Sequence, residues 1–262
     1  MKSIHRQSSI FSGAAIVVVG LCIIAASAVA GTAAMSAAEI LKRSDDVSLA
    51  DTSKIYITQT VIAPSGDERT FKMVSYTKNG NEKGLTEYLA PTQVKGMKIL
   101  TLNDGDDIWS YFPSTNRVRK IASSARNRKV QGSDFSYDDM ASGKMAESWR
   151  GTVSGEEKIE GVLCYRLMLT PTEKGPRSYS KTTAWVSKSD FTARRVMYFD
   201  KYGEKSKQLD IRDYRTVNGV QVPYEYVMTS LLDGGKTMMK VAHAEVNIPL
   251  ADSLFTEAGL KK

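Results

Sequence analysis

The sequence predicts a mainly β protein (α+β class) organised as an antiparallel meander. Three observations carry this. From Lys54 onward the chain is a succession of short β-branched and aromatic runs, turn dipeptides separate them, and helix-length periodicity is scarce. The runs are KIYITQTVI, TFKMVSYTK, LTEYLA, MKILTL, DIWSYF, CYRLMLT, TTAWVS, ARRVMYF, QLDIRDYR, VQVPYEYVMT and MMKVAHAEVNI.

In chain order, the first segment reads as targeting rather than fold. Lys2, His5 and Arg6 precede an apolar run from Ala14 to Ala26, and Ala28-Val29-Ala30 supplies small residues for cleavage. That order predicts a signal peptide over residues 1–30 and a mature domain over 31–262. A retained anchor is the alternative, because the run approaches the roughly 20 residues that span a bilayer. Leu21 before Cys22 does not suit a lipidation box.

Next, AAEILKRSDDV sets Ile40 and Leu41 beside Ala37, Ala38 and Val47 at helical spacing, predicting a short amphipathic helix over about residues 36–47. Among the strands that come after it, Asn79-Gly80, Asp104-Gly105, Tyr202-Gly203, Asn218-Gly219 and Asp233-Gly234-Gly235 accept the positive φ of tight turns. Successive strands are therefore joined locally and no βαβ unit is expected. In VQVPYEYVM, alternation puts Val220, Val222, Tyr224, Tyr226 and Met228 on one face. Pro223 cannot donate to a ladder, so this strand is expected at an edge or entering the sheet there.

Residues 122–148 break the pattern, being rich in Ser, Gly and charge. The segment is too long for a hairpin and predicts a loop with a short helix, a candidate lid or gate. The chain closes on LADSLFTEAGLKK, a small turn or helix.

Composition narrows the function classes. Cleavage would remove Lys2 and Arg6 and leave 34 basic against 29 acidic residues, a net charge of about +5. This mild excess suits anionic membrane surfaces or acidic partners, and does not argue for nucleic acid. Cys164 is the only cysteine of the mature chain, so its stability rests on a hydrophobic core that about 230 residues can build as one domain.

Catalytic patterns are missing. His243 is the single histidine of the mature chain, too few for His-rich zinc sites, and it stands in a strand without a nucleophile pattern around it. Cys164 sits in apolar VLCYRLML with no CxxC neighbour and reads as a small buried hydrophobe. No GxxxxGK[ST] loop occurs, and no GxGxxG follows a strand. Asp106-Asp107 and Asp138-Asp139 carry oxygen ligands, but SDFSYDD lacks EF-hand order, so capping and solvated turns account for them. No metal or cofactor is expected.

Two features rise above this background. Trp109, Tyr111, Phe135 and Tyr137 form an aromatic set that either fills a core or lines an apolar groove. Methionines recur on strands and in the long loop, where flexible thioethers adapt to irregular ligands or fill a core. The candidate ligand-binding residues are Met97, Trp109, Tyr111, Phe135, Tyr137, Met140 and Met228. Basic residues Arg117, Arg126, Arg128 and Lys129 flank or occupy the loop and are candidate contacts to a partner or to lipid headgroups.

The stretch DIWSYFPSTNRVRKIASSARNRKVQGSDFSYDDM resembles the outer-membrane lipoprotein-sorting proteins of the LolA-like superfamily. There a Trp, Tyr, Pro and Arg strand end leads into a Gly-Ser-Asp-Phe turn, matched here by Trp109, Tyr111, Pro113, Arg117, Gly132, Ser133, Asp134 and Phe135. PTQVKGMKILTL, DYRTVNGVQVPYEYVM and NIPLADSLFT extend the likeness over essentially the whole mature chain. The resemblance implies a strongly curved antiparallel sheet forming an unclosed half-barrel, its concave face covered by short helices and loops. It implies a periplasmic binding protein and not an enzyme: a carrier of lipids or acylated lipoproteins toward the outer membrane. The family's lid-locking basic residue has no matching motif here, so no gating residue is carried over.

Two further readings stand beside the carrier. One is a ligand-sensing or accessory module for a membrane transporter or signalling complex, docking through the basic loop. The other is a hydrolase, which the scarcity of histidine disfavours. Expected partners are a lipid or acylated lipoprotein, with an inner-membrane transporter or outer-membrane acceptor at either end of the path. A monomer is expected.

Overall fold

The computed structural model describes residues 34–141 and 143–261. The expected signal peptide lies outside the described residues. Contacts divide the chain into Met1–Ala34 and Met35–Lys262, and every described helix and strand belongs to the second unit.

Helix α1 (Ala37–Ser48) begins where expected. The Ser36 hydroxyl accepts the Glu39 N–H at 3.2 Å, satisfying one of the donors left over at a helix start. Ile40, Leu41 and Ala37 are buried, while Glu39–Arg43 and Lys42–Asp46 pair on the wet side. Its apolar stripe docks it on the sheet.

Among the described residues, thirteen strands succeed it. The first six are β1 (Thr52–Ile62), β2 (Glu68–Lys78), β3 (Lys83–Ala90), β4 (Lys98–Leu102), β5 (Asp107–Phe112) and β6 (Arg117–Lys120). After a long connection come β7 (Trp149–Ile159), β8 (Val162–Pro171), β9 (Lys181–Ser187), β10 (Ala193–Phe199), β11 (Lys205–Val217), β12 (Val220–Ser230) and β13 (Lys236–Val246). All pair antiparallel in one sheet of order β6-β5-β4-β3-β2-β1-β13-β12-β11-β10-β9-β8-β7. Pairing of β1 with β13 joins the two ends of the meander in the middle of the sheet, and β6 and β7 are its free edges. The result is an unclosed half-barrel.

The five turn motifs hold the predicted backbone. Asn79 and Gly80, Asp104 and Gly105, Asn218 and Gly219 all have positive φ, as do Gly203 and Gly234. Two strands exceed the sequence expectation. Strand β6 is four residues of RVRK, and β7 is a polar edge strand with Gly151 and a bulge between Val153 and Gly155, so neither shows apolar alternation. The edge assignment for the Pro223 strand is corrected: β12 is interior. Its other half holds, since Pro223 pairs with Tyr214 of β11 while pairing to β13 begins only at Glu225.

Both faces of the sheet bury side chains. On the inner face, Leu167, Leu169, Val186, Val196, Leu209 and Met228 pack beneath α1, and Phe71, Met73, Tyr88, Ile99 and Ile108 form a second cluster over β2–β5. On the outer face, Leu85, Leu100 and Trp109 lie opposite one another and are covered by the terminal turns through Phe255 and Leu260.

Candidate functional site

The connection between β6 and β7 joins the two opposite edges of the sheet, so it must cross the open side of the half-barrel. The described residues 121–141 and 143–148 form an irregular strap there, with two short α-helices, α2 (Tyr137–Met140) and α3 (Met145–Ser148). Val130 packs in the β2–β5 cluster, Phe135 in the cluster beneath α1, and Met140 touches both. An apolar floor is thus roofed by a segment that adds no strand to it.

Polar side chains pin the strap. On β11, alternation places Lys207 in phase with Leu209 and Ile211, so its ammonium points inward and is nearly buried. It pairs with Asp139, donates to the Asp134 carbonyl at 3.4 Å and lies 5.1 and 5.5 Å from the Tyr179 and Tyr198 ring centres. Asp139 also accepts from the Ser136 backbone N–H at 2.7 Å and the Tyr179 hydroxyl at 2.6 Å, closing a capping box at the start of α2. Burial, then the Asp139 carboxylate, pushes the Tyr179 phenol well up, so it stays a donor.

A second pin uses the Gly-Ser-Asp-Phe turn. Gly132 has φ +71°, and a Cβ there would meet the Arg69 guanidinium at 2.6 Å. The turn delivers Asp134 into the sheet, where its carboxylate accepts from Thr237 and Lys129, both at 2.8 Å. Lys129 bridges on to Asp233 at 2.8 Å. Burial opposes the charge on Lys129, but its two carboxylate hydrogen bonds outweigh that and raise its pKa. The Lys129 contact, with help from Ser230 and Gly235, holds Asp233 far below the usual carboxylate range.

Elsewhere Asp138 accepts from the Ser178 N–H at 3.1 Å, and Arg126 donates to the Asp106 carbonyl. Asp45 of α1 accepts the Met145 and Ala146 N–H groups, each at 2.9 Å. Burial raises its carboxyl pKa in spite of them.

Of the expected ligand residues, Met97, Phe135, Tyr137, Met140 and Met228 converge on the inner face. Gln131 of the strap even donates to the Met97 sulfur at 2.9 Å. Trp109 and Tyr111 do share a face, but it is the outer one, under the terminal turns. Of the basic residues, Arg117 and Arg128 are exposed. Arg126, with its side chain 12% exposed, and Lys129 instead serve the strap.

Sequence reading missed Lys207 and Tyr179, and took Asp138-Asp139 for capping or solvated residues. Capping is right for Asp139, but both carboxylates are buried. The available signals were a lysine in phase with Leu209 and Ile211, and the Ser136-x-x-Asp139 box. His243 lies exposed on β13, and Cys164 is fully buried with burial pushing its thiol pKa up. Among the described residues, no group of three or more His, Cys, Asp or Glu is placed to hold a metal, and no helix is long and apolar enough to cross a membrane.

A family model whose description reads "Uncharacterized protein" matches residues 80–262, which include the strap, the Gly-Ser-Asp-Phe turn and Lys207. The chain belongs to that family. Three solved structures share the fold of this chain. A DUF1329 family protein from Desulfovibrio piger is 24% identical with TM-score 0.79, over 85% of this chain and 97% of that one. An outer membrane lipoprotein-sorting protein domain from Vibrio parahaemolyticus is 23% identical with TM-score 0.79, over 86% and 98%. A LolA superfamily protein from Nitrosomonas europaea is 21% identical with TM-score 0.72, over 86% and 99%. At such identities the likeness establishes architecture: the fold is LolA-like. Comparison with curated proteins gives no match.

Proposed function

We propose that this protein is a periplasmic carrier that holds the acyl chains of lipoproteins or other lipids between the inner face and the strap, for transfer toward the outer membrane. The observation that carries this reading is the strap itself. An apolar floor spanning both halves of the sheet is roofed by a segment attached through side chains, which can detach without breaking any strand pairing.

Each methylene hidden from water contributes about 0.8 kcal/mol, so an acyl chain gains strongly by replacing the roof. The inner cavity below Met140 holds about 90 Å³, below the roughly 300 Å³ of small ligand sites. Loading therefore requires the strap, and α1 with it through Asp45, to move outward. Release demands an acceptor of higher affinity, because a carrier that only binds tightly transfers nothing. Exposed His243 and sealed Cys164 support a binding role rather than catalysis. Docking on a transporter through the basic loop is supported mainly by Arg117 and Arg128, since Arg126 is nearly buried and Lys129, though exposed, is held by Asp134 and Asp233.

The test is organic extraction of the protein purified from its native compartment, with mass spectrometry of the extract, followed by displacement of an apolar fluorophore. Acyl lipid in the extract and displacement by added lipid are expected. A protein that carries no lipid and whose fluorophore no lipid displaces is not a carrier.

A further inference from the structure

The inner wall is not uniformly apolar. Under α1 it is built mainly from aliphatic, aromatic and Met side chains, whereas over β1–β5 two adjacent cross-strand rows carry hydroxyls. Ser53, Thr77, Gly84 and Thr101 lie opposite one another from β1 to β4. Ser75, Thr86, Ile99 and Ser110 form the next row, from β2 to β5.

The 90 Å³ cavity lies over these rows, with Met140 of the strap in its lining and no charged residue among the described residues that line it. Gly84 keeps the floor clear, since a Cβ there would come within 2.5 Å of the Thr101 hydroxyl. On the same face the Ser110 and Tyr88 hydroxyls are buried without a hydrogen-bond partner among the described residues. Natural interiors rarely leave such groups unsatisfied, because desolvation is then uncompensated.

We propose that this patch is the polar end of the ligand site and takes the uncharged glycerol ester of an acyl lipid, whose chain runs on over the apolar floor. This rests on the carrier reading. Hydroxyls both donate and accept, so they serve ester carbonyls and glycerol hydroxyls alike. A carboxylate or phosphate lodged among these hydroxyls would find no cation in the lining to offset its desolvation. The ligand is therefore selected for a neutral head as well as for its chain.

Displacement of N-phenyl-naphthylamine from the full protein tests this with three lipids of equal chain length: a monoacylglycerol, a fatty acid and a lysophosphatidic acid. The monoacylglycerol is expected to displace the probe at about tenfold lower concentration than either anion. Replacing Thr86→Val together with Thr101→Val, which keeps shape and strand preference, is expected to abolish that preference while probe binding persists. Should the double variant not fold, Ser75→Ala alone must narrow the ratio. Equal potency of the three lipids, or a preference unchanged in the variants, overturns the patch while leaving the carrier intact. Failure of every lipid to displace the probe overturns both. A diacylglycerol and a diacylglyceryl-cysteine peptide, compared in the same assay, show whether the ester belongs to free lipid or to an acylated protein; both losing to a fatty acid overturns the proposal.

Discussion

Lys207 ties the strap to the inner face of the sheet. Its ammonium is withdrawn from water and compensated by one carboxylate, one carbonyl and two aromatic rings. Removing one member of a buried pair leaves the other uncompensated, so Lys207→Met is expected to lower stability by about 3–5 kcal/mol, read by chemical denaturation. The same variant should exchange an apolar probe faster. Unchanged stability would mean that the pair is solvated. Asp233 makes a pH prediction. Its folded pKa lies below the ordinary 3.8, so its contribution is complete above that value and lost as pH falls through the folded pKa. Lys129 has the opposite window, complete below 10.5 and lost as pH rises through its raised value, so the bridge is at full strength at neutral pH. Asp45, raised by burial, favours the folded state below the ordinary carboxylate range and runs against Asp233. Comparing thermal midpoints of Asp233→Asn and the parent between about pH 5 and pH 2 isolates the Asp233 term, and the variant should fall less steeply.

At the scale of elements, the strap and the terminal turns are both covers, each held by apolar burial together with polar ties. The strap is tied by polar side chains, and one tie, Lys129–Asp233, is partly exposed at 2.8 Å. Zero-length carbodiimide coupling should convert it to an amide between the strap and the β12–β13 turn. Protein coupled there, confirmed by peptide mapping, is expected to lose exchange of bound probe, whereas Lys129→Arg treated identically keeps it. Exchange unaffected by the coupling would show that the strap does not gate the site. The terminal turns are anchored by apolar burial, so Phe255→Ala should cost about 3–5 kcal/mol with little effect on probe binding. Alternation and turn residues made eleven strands legible, along with α1 and the irregular strap. Strands β6 and β7 were not, because an edge strand needs no apolar face: RVRK is basic, and WRGTVSGEEKI is polar and bulged.

For the molecule as a whole, the decisive pairing is β1 with β13, whose partners such as Ser53 and Val246 lie about three-quarters of the chain apart. Loop-closure entropy must be met before that ladder forms, so refolding in the slow range of all-β proteins, milliseconds to seconds or longer, is expected in stopped-flow measurements. A chain ending before Lys236 should fail to reach the native far-ultraviolet spectrum, because β1 and β12 then lose the strand between them. A cooperative native spectrum from that truncation would show that either half of the meander folds alone. The sequence by itself determined what depends on near neighbours: strand after strand, the positive-φ turns, the amphipathic helix, the Gly-Ser-Asp-Phe turn and the absence of catalytic patterns. Only the tertiary structure decided what depends on which strands close the sheet. That closure put the seam between β6 and β7 and so laid the strap across the cavity. It turned Trp109 and Tyr111 outward, and it brought Lys207, Asp139 and Tyr179 to one point. Side-chain alternation gives two faces, but it does not say which will be concave. That is fixed by strand order and by what each face has available to cover it.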